Sequence, residues 1–158
     1  MYTFYRLNEI FKSSLEIPFD NSSKIVVISD CHRGDGSWVD DFSHNEDLYY
    51  CAIKYYYNNG FTYIDLGDSD ELWKNQNFSD ISSIYSDIFH LLHNFYEENR
   101  FYMIYGNHDI VKKYPQFVKK NLQRYYDSQS DQYEPMFENI QVHEGLILKN
   151  SETQTKIF

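Results

Sequence analysis

The sequence predicts one α/β domain with parallel strands, and two features of the chain support this. Three short apolar runs, at residues 24–28, 61–66 and 101–105, each break into a polar turn that contains glycine. Two segments whose apolar residues recur at helical spacing separate these runs. The order strand, helix, strand, helix, strand implies two right-handed crossovers, and therefore a parallel β-α-β-α-β core.

Composition agrees with one folded domain and excludes some functions. The chain has 158 residues, enough for a real core, and 19% of them are aromatic. Its formal net charge of −10 disfavours sequence-independent binding to nucleic acid or to an anionic membrane. A phosphate substrate stays possible, because divalent cations would reverse the local field.

Two further features concern the location of the protein. No apolar run approaches the length needed to cross a bilayer, and the first residues lack the basic-then-apolar order of a secretion signal. The two cysteines, Cys31 and Cys51, do not form a disulfide framework. We therefore expect a cytoplasmic protein without a membrane partner.

The first 23 residues are predicted to precede the domain, which would span residues 24–158. Apolar residues recur at helical spacing over residues 3–16, which predicts a short amphipathic helix. Residues 17–23 contain proline, asparagine and two serines, a composition typical of a linker into the first strand.

Two helices are predicted between the three strands. Ser43 and Glu46 match a capping box, so the first helix should begin there and run to about Asn58, where Asn59 and Gly60 supply a left-handed stop. The second helix is predicted over residues 80–98, with Ser79 as its cap.

The region after the third strand is predicted to hold a helix and a hairpin. A basic helix should run from Pro115 to about Tyr126, since proline is tolerated in the first turn. Residues 141–143 and 146–148 flank a Glu-Gly pair and predict a tight β-hairpin. Residues 153–158 are typical of the opening of another strand.

Each predicted strand ends in a cluster of possible metal ligands. Asp30 and His32 follow the first strand, and in an extended segment residues i and i+2 point to the same side. Asp68 follows the second strand, and Asn107 and His108 follow the third. Because parallel strands place their carboxyl ends on one edge of the sheet, these side chains should share a site. Oxygen and imidazole ligands suit a borderline divalent metal.

The motifs D-x-H, G-D-x-x-E and G-N-H-D, in this order, resemble the calcineurin-like metallophosphoesterase superfamily. The resemblance covers about residues 24–113 and extends to a bacterial branch of that superfamily. It implies an α/β/β/α sandwich, of which this chain would hold an incomplete part: the β-α-β-α-β core plus a β-hairpin.

The resemblance also implies a mechanism and a role for each motif residue. The family binds two divalent metal ions (Mn, Fe or Zn) and hydrolyses a phosphate ester through attack by a hydroxide held between them. His108 would assist the leaving group or stabilise the phosphoryl oxygens, and Glu71 would orient His108. The metal ligands would be Asp30 and His32 for the first ion, Asp68 as the bridge, and Asn107 for the second ion.

One departure from the family pattern leaves an alternative open. The family needs further histidines after the third motif, and here only His143 follows it, without a G-H or H-G pair. We therefore expect the chain to be the amino-terminal portion of a longer domain. The alternative function is a truncated, catalytically inert chain that binds at most one metal or a partner chain.

For the other charged residues, the sequence supports less specific interpretations. Arg33 could contact a substrate phosphate or pair with Asp35, Asp40 or Asp41. His143 is interpreted as an ordinary strand residue, and His44, His90 and His93 as residues without a site role. A basic patch is interpreted as a solvated helix face in preference to an anion site; it consists of Lys112, Lys113, Lys119 and Lys120.

Overall fold

The structure is a computed structural model that describes residues 2–158, and its centre is a parallel four-stranded sheet. Its strands are β2 (Ile25–Ile28), β3 (Thr62–Asp65), β4 (Phe101–Ile104) and β7 (Val142–His143). They lie in the order β2-β3-β4-β7, and every neighbouring pair in this sheet is parallel. The sheet confirms the predicted parallel core, with a fourth strand added.

The first crossover contains α2 (Glu46–Asn58), preceded by a 3-10 turn (Ser43–Asn45). The predicted stop is confirmed, because the helix ends at Asn58 and Gly60 has φ +73°. The predicted capping box is wrong: no side chain caps this helix. The Ser43 hydroxyl donates instead to the Asp40 carbonyl at 2.8 Å, which holds it in the preceding loop.

The second crossover contains two helices where one was predicted, α3 (Phe78–Ile84) and α4 (Ser86–Glu97). The chain departs from helical geometry at Tyr85, whose ψ is +35°. The buried Tyr85 hydroxyl donates a hydrogen bond to the Asp40 carboxylate, so a long-range contact accompanies this break. Ser79 is not the cap, since the helix already begins at Phe78.

A second sheet has the order β1-β8-β9, from β1 (Leu15–Phe19), β8 (Leu146–Asn150) and β9 (Lys156–Ile157). The predicted linker over residues 17–23 is therefore partly a strand, which pairs in parallel with β8. The short final strand is confirmed as β9, antiparallel to β8.

The predicted hairpin over residues 141–148 is wrong, because its two arms lie in different sheets. β7 pairs in parallel with β4, and β8 pairs in parallel with β1. The reason is burial: β8 brings Leu146 into an apolar cluster between the two sheets. The buried residues of this cluster are Ile17, Ile64, Ile104 and Leu146.

The predicted basic helix is also shorter than expected. It begins at Pro115, as predicted, but α5 (Pro115–Asn121) ends five residues before Tyr126. The chain then forms an antiparallel hairpin of β5 (Arg124–Asp127) and β6 (Gln132–Pro135). Leu122 and Tyr125 enter the main core at this point, and that burial favours a strand over a longer helix.

The remaining helix is α1 (Tyr2–Ser13), which confirms the predicted amino-terminal helix. The main core lies between the central sheet and the crossover helices, and aromatic rings dominate it. The molecule is thus a mixed α/β protein with two sheets around the apolar cluster. Among residues 2–158, no helix is both long enough and apolar enough to span a membrane.

Candidate active site

The three polar turns meet at the carboxyl edge of the central sheet, as predicted. Two backbone hydrogen bonds join the first turn to the second: Asp30 N donates to the Gly67 carbonyl at 3.2 Å, and His32 N to the Asp68 carbonyl at 2.9 Å. The third turn joins through His108, whose backbone N–H donates to Asp68 Oδ1 at 2.6 Å. Asp68 is therefore the residue that both other turns contact.

Two glycines allow the second and third turns to approach each other. A Cβ atom added to Gly67 would lie 2.5 Å from the Gly106 nitrogen, and one added to Gly106 would lie 2.5 Å from Asp68 Cγ. Gly67 also has φ +92°, a conformation that L side chains rarely adopt. The glycines of the G-D and G-N-H-D motifs thus serve close packing between the turns.

Three non-glycine residues of the site have left-handed backbone conformations. The φ values are +56° for Asp30, +51° for His32 and +53° for Asp68. The extended geometry assumed for the D-x-H motif is therefore wrong, although the two side chains still converge. Each such residue costs roughly 1–2 kcal/mol, and strain of this kind clusters at functional sites.

Asp30, His32 and Asp68 form the first group of possible metal ligands. One ligand atom from each residue lies within 4.8 Å of the others, and His32 Nε2 is 3.7 Å from Asp30 Oδ1. Two carboxylates and one imidazole fit a borderline divalent cation. Asp30 faces solvent and Asp68 is half-buried, so an ion could enter from outside.

His32, Glu71 and His108 form a second group with the same spacing. His108 Nδ1 lies 2.9 Å and 3.1 Å from the two Glu71 oxygens. His32 Nδ1 is 3.5 Å from Glu71, and this buried nitrogen has no hydrogen-bond partner among the described residues. Its environment is therefore one that an additional ligand would complete.

Glu71 anchors the His108 ring. Burial opposes the ionisation of Glu71, but the hydrogen bond with His108 and the electrostatic interaction with it lower the pKa of Glu71 below the usual value. The backbone N–H of Trp73 also donates to Glu71, at 3.2 Å. The indole of Trp73 stacks on the His108 ring with 4.0 Å between centroids. Two contacts therefore fix the His108 ring and turn its Nε2 away from Glu71.

Arg33 and Lys112 do not lie where a substrate could reach them. Arg33 is 1% exposed and its Nε donates to Asp70 at 2.8 Å, so the predicted pairing with Asp35, Asp40 or Asp41 is wrong. Lys112 is 0% exposed, which contradicts its place on a solvated face; Lys113, Lys119 and Lys120 are exposed as predicted. We call the residues that these cations join the buried ion network: Arg33, Asp70, Asp109 and Lys112.

Asn107 follows β4 and His143 ends β7, so both lie at the carboxyl edge of the central sheet. Asn107 is exposed in the third turn, next to His108. His143 lies at the end of β7, in register with Ile104 of β4, and its carbonyl accepts a hydrogen bond from Tyr105. The hairpin interpretation did not predict this position of His143, which belongs to neither of the two ligand groups.

A pocket of about 410 Å³ opens beside the two ligand groups. Asp30, His32, Glu71 and His108 contribute to its wall, so its contents would contact both groups. Lys74 and Asn75 add polar groups, and Asp35 and Asp41 add negative charge. This pocket offers room for a substrate next to the possible metal ligands.

The fold and the site define an α/β protein with two clusters of possible metal ligands at the carboxyl edge of a parallel sheet. The family model for calcineurin-like phosphoesterases matches residues 23–156, and the chain belongs to this family. Membership confirms the resemblance drawn from the three motifs and supports a hydrolase that acts on phosphate esters. Comparisons with curated proteins and with solved structures gave no match.

Proposed function

We propose that this chain hydrolyses a phosphate ester with two divalent metal ions held at the carboxyl edge of the central sheet. The observation that carries the proposal is the position of Asp68, which contacts both other turns and shares a ligand group with Asp30 and His32. Asp30 and His32 would hold the first ion and Asp68 would bridge. The metals, when bound, would polarise the phosphoryl oxygens and lower the pKa of water.

His108 is proposed to act on the substrate. Its Nδ1 is hydrogen-bonded to Glu71. Nε2 would therefore donate a hydrogen bond or a proton to the leaving-group oxygen or to a phosphoryl oxygen. Glu71 would orient the ring and Trp73 would restrict its rotation. The substrate is a phosphorylated compound whose leaving group would enter the neighbouring pocket.

The activity can be tested with p-nitrophenyl phosphate and bis(p-nitrophenyl) phosphate in the presence of Mn²⁺, Fe²⁺ or Zn²⁺. We expect hydrolysis by the wild-type chain and its loss in Asp68→Asn and His108→Ala. Asp47→Asn, at an exposed carboxylate in the first turn of α2, should keep the wild-type rate. Absence of hydrolysis by the metal-loaded chain would refute the proposal for this chain.

We further propose that Asn107 and His143 complete the second metal position with Asp68. The support is the parallel pairing of β7 with β4, which brings His143 to the edge that carries Asn107. Calorimetric titration with Mn²⁺ should give two sites in the wild type and one in His143→Gln. A wild type with one weak site and no turnover would instead favour the inert chain described above.

A further inference from the structure

We propose that Lys112 is a positioning residue of the metal centre, acting through the buried ion network and not through the substrate. The inference rests on the proposed function, because the geometry that Lys112 would maintain is that of Asp68 and its neighbours. Lys112 lies in the 3-10 turn Ile110–Lys113, just after the third motif, and its side chain is 0% exposed. It therefore cannot bind a substrate phosphate directly.

The ammonium group of Lys112 joins the second turn to the third. Its Nζ lies 2.6 Å from Asp70 Oδ2 and 2.7 Å from Asp109 Oδ2. These two carboxylates come from different motifs and are 1% and 0% exposed. One buried cation thus holds two loops that the chain separates by nearly forty residues.

Asp109 transmits this constraint to the proposed bridging residue. Its other oxygen, Oδ1, accepts hydrogen bonds from the Gly106 N–H at 2.7 Å and from the Asp68 N–H at 3.3 Å. Asp68 has a left-handed backbone, so it needs such support to keep its conformation. Lys112 therefore fixes the orientation of a carboxylate that fixes Asp68.

Asp70 transmits the constraint to the first turn. Its Oδ1 accepts a hydrogen bond from Arg33 Nε at 2.8 Å. The backbone of Arg33 is held in turn: its N–H donates to the Ser69 carbonyl and its carbonyl accepts from the Glu71 N–H, both at 2.9 Å. His32 precedes Arg33 in the chain, and the Glu71 N–H makes one of these bonds. Because His32 belongs to both ligand groups and Glu71 to the second, the buried ion network is linked to both groups.

Loss of the ammonium would leave Asp70 paired with Arg33 and would leave Asp109, among residues 2–158, without an ion-pair partner. A buried carboxylate without a cation is strongly disfavoured and is expected to rotate toward water. Such a rotation of Asp109 weakens its hydrogen bonds to the backbone N–H groups of Gly106 and Asp68. We therefore expect Lys112→Met to weaken metal binding even though Lys112 touches no proposed ligand side chain.

The test is calorimetric titration of the full chain with Mn²⁺, together with amide hydrogen exchange of Gly106 and Asp68 without metal. Lys112→Met should weaken Mn²⁺ binding by about 10- to 100-fold and accelerate both exchange rates. Lys113→Met, at an exposed lysine beside it, is the matched control and should change neither. Wild-type affinity in a folded Lys112→Met variant would overturn the inference.

A double variant separates positioning from simple stabilisation and covers the case in which Lys112→Met does not fold. Lys112→Met/Asp109→Asn removes the carboxylate that the single change leaves unpaired, so the thermal unfolding midpoint should recover. The affinity for Mn²⁺ should stay low, because residue 109 no longer has a charged anchor. Recovery of both would mean that Lys112 only stabilises the fold. A wild-type chain that binds no Mn²⁺ defeats the proposed function as well, whereas unchanged binding in the variants defeats this inference alone.

Discussion

Arg33 and Lys112 illustrate how burial decides what a charged residue does. In the sequence, both stand beside motif residues and could contact an anionic substrate. In the structure both are enclosed: Arg33 pairs with Asp70, and Lys112 pairs with Asp70 and Asp109. Their interaction with Asp70 lowers the pKa of this carboxyl to about 2 against the opposing effect of burial. The cations thus serve the internal geometry of the site.

Gly60 and Gly67, two of the three left-handed glycines among residues 2–158, provide a matched test of loop packing. Alanine at either position destabilises the fold through backbone strain of roughly 1–2 kcal/mol. At Gly60 nothing lies within 4 Å of the added Cβ, whereas at Gly67 the Cβ would meet the backbone of Gly106. We expect Gly67→Ala to lower the unfolding midpoint further than Gly60→Ala and to abolish Mn²⁺ binding. Equal effects in thermal unfolding and calorimetry would contradict this explanation of the motif glycine.

At the scale of elements, the strands β7 and β8 depend on their neighbours more than on their own sequence. β7 has only two residues, and the Glu-Gly pair between it and β8 resembles a hairpin turn. Their separation into two sheets places β7 beside β4 and seats Leu146 against Ile17 from β1. This separation also brings His143 to the edge of the central sheet.

The contribution of β1 can be measured with two residues of the same strand. Ile17 is 6% exposed in the cluster between the sheets, whereas Leu15 is 42% exposed. Ile17→Ala should lower the free energy of unfolding by roughly 2–5 kcal/mol, because it leaves a cavity. Leu15→Ala removes mainly solvent-facing surface and should cost much less. Urea unfolding of both variants measures the difference, and similar losses would indicate that β1 is not packed between the sheets.

At the scale of the whole molecule, buried tyrosines make stability depend on alkaline pH. Burial raises the pKa of Tyr49, Tyr63 and Tyr85 above the usual value and that of Tyr125 to about 12. A raised pKa means that the folded state keeps the neutral phenol. The stabilisation is therefore complete below the unfolded-state pKa near 10 and is lost as the pH rises above it.

We expect the free energy of unfolding to fall between about pH 10 and pH 12, by about 1.4 kcal/mol per pH unit for each such tyrosine. Urea unfolding across this range measures the slope. Tyr125→Phe should make the slope shallower, while Tyr5→Phe, at a residue that is 72% exposed, is the control. A slope that Tyr125→Phe leaves unchanged would show that this phenol already ionises in the folded protein.

The sequence by itself determined the parallel strands, the helices that follow them and the three motifs at one sheet edge. These features are encoded locally, in the periodicity of apolar residues and in turns that contain glycine. The position of Asp30, His32, Asp68 and His108 in one site then follows from topology, because parallel strands end on the same side.

Only the tertiary structure decided which residues face each other across long distances in the chain. The pairing of Arg33 with Asp70, the burial of Lys112 and the break at Tyr85 each depend on a partner from a remote segment. The same holds for β7 and β8, which local pattern assigned to one hairpin. Burial and long-range pairing are properties of the packed chain, and a local pattern of residue types does not determine them.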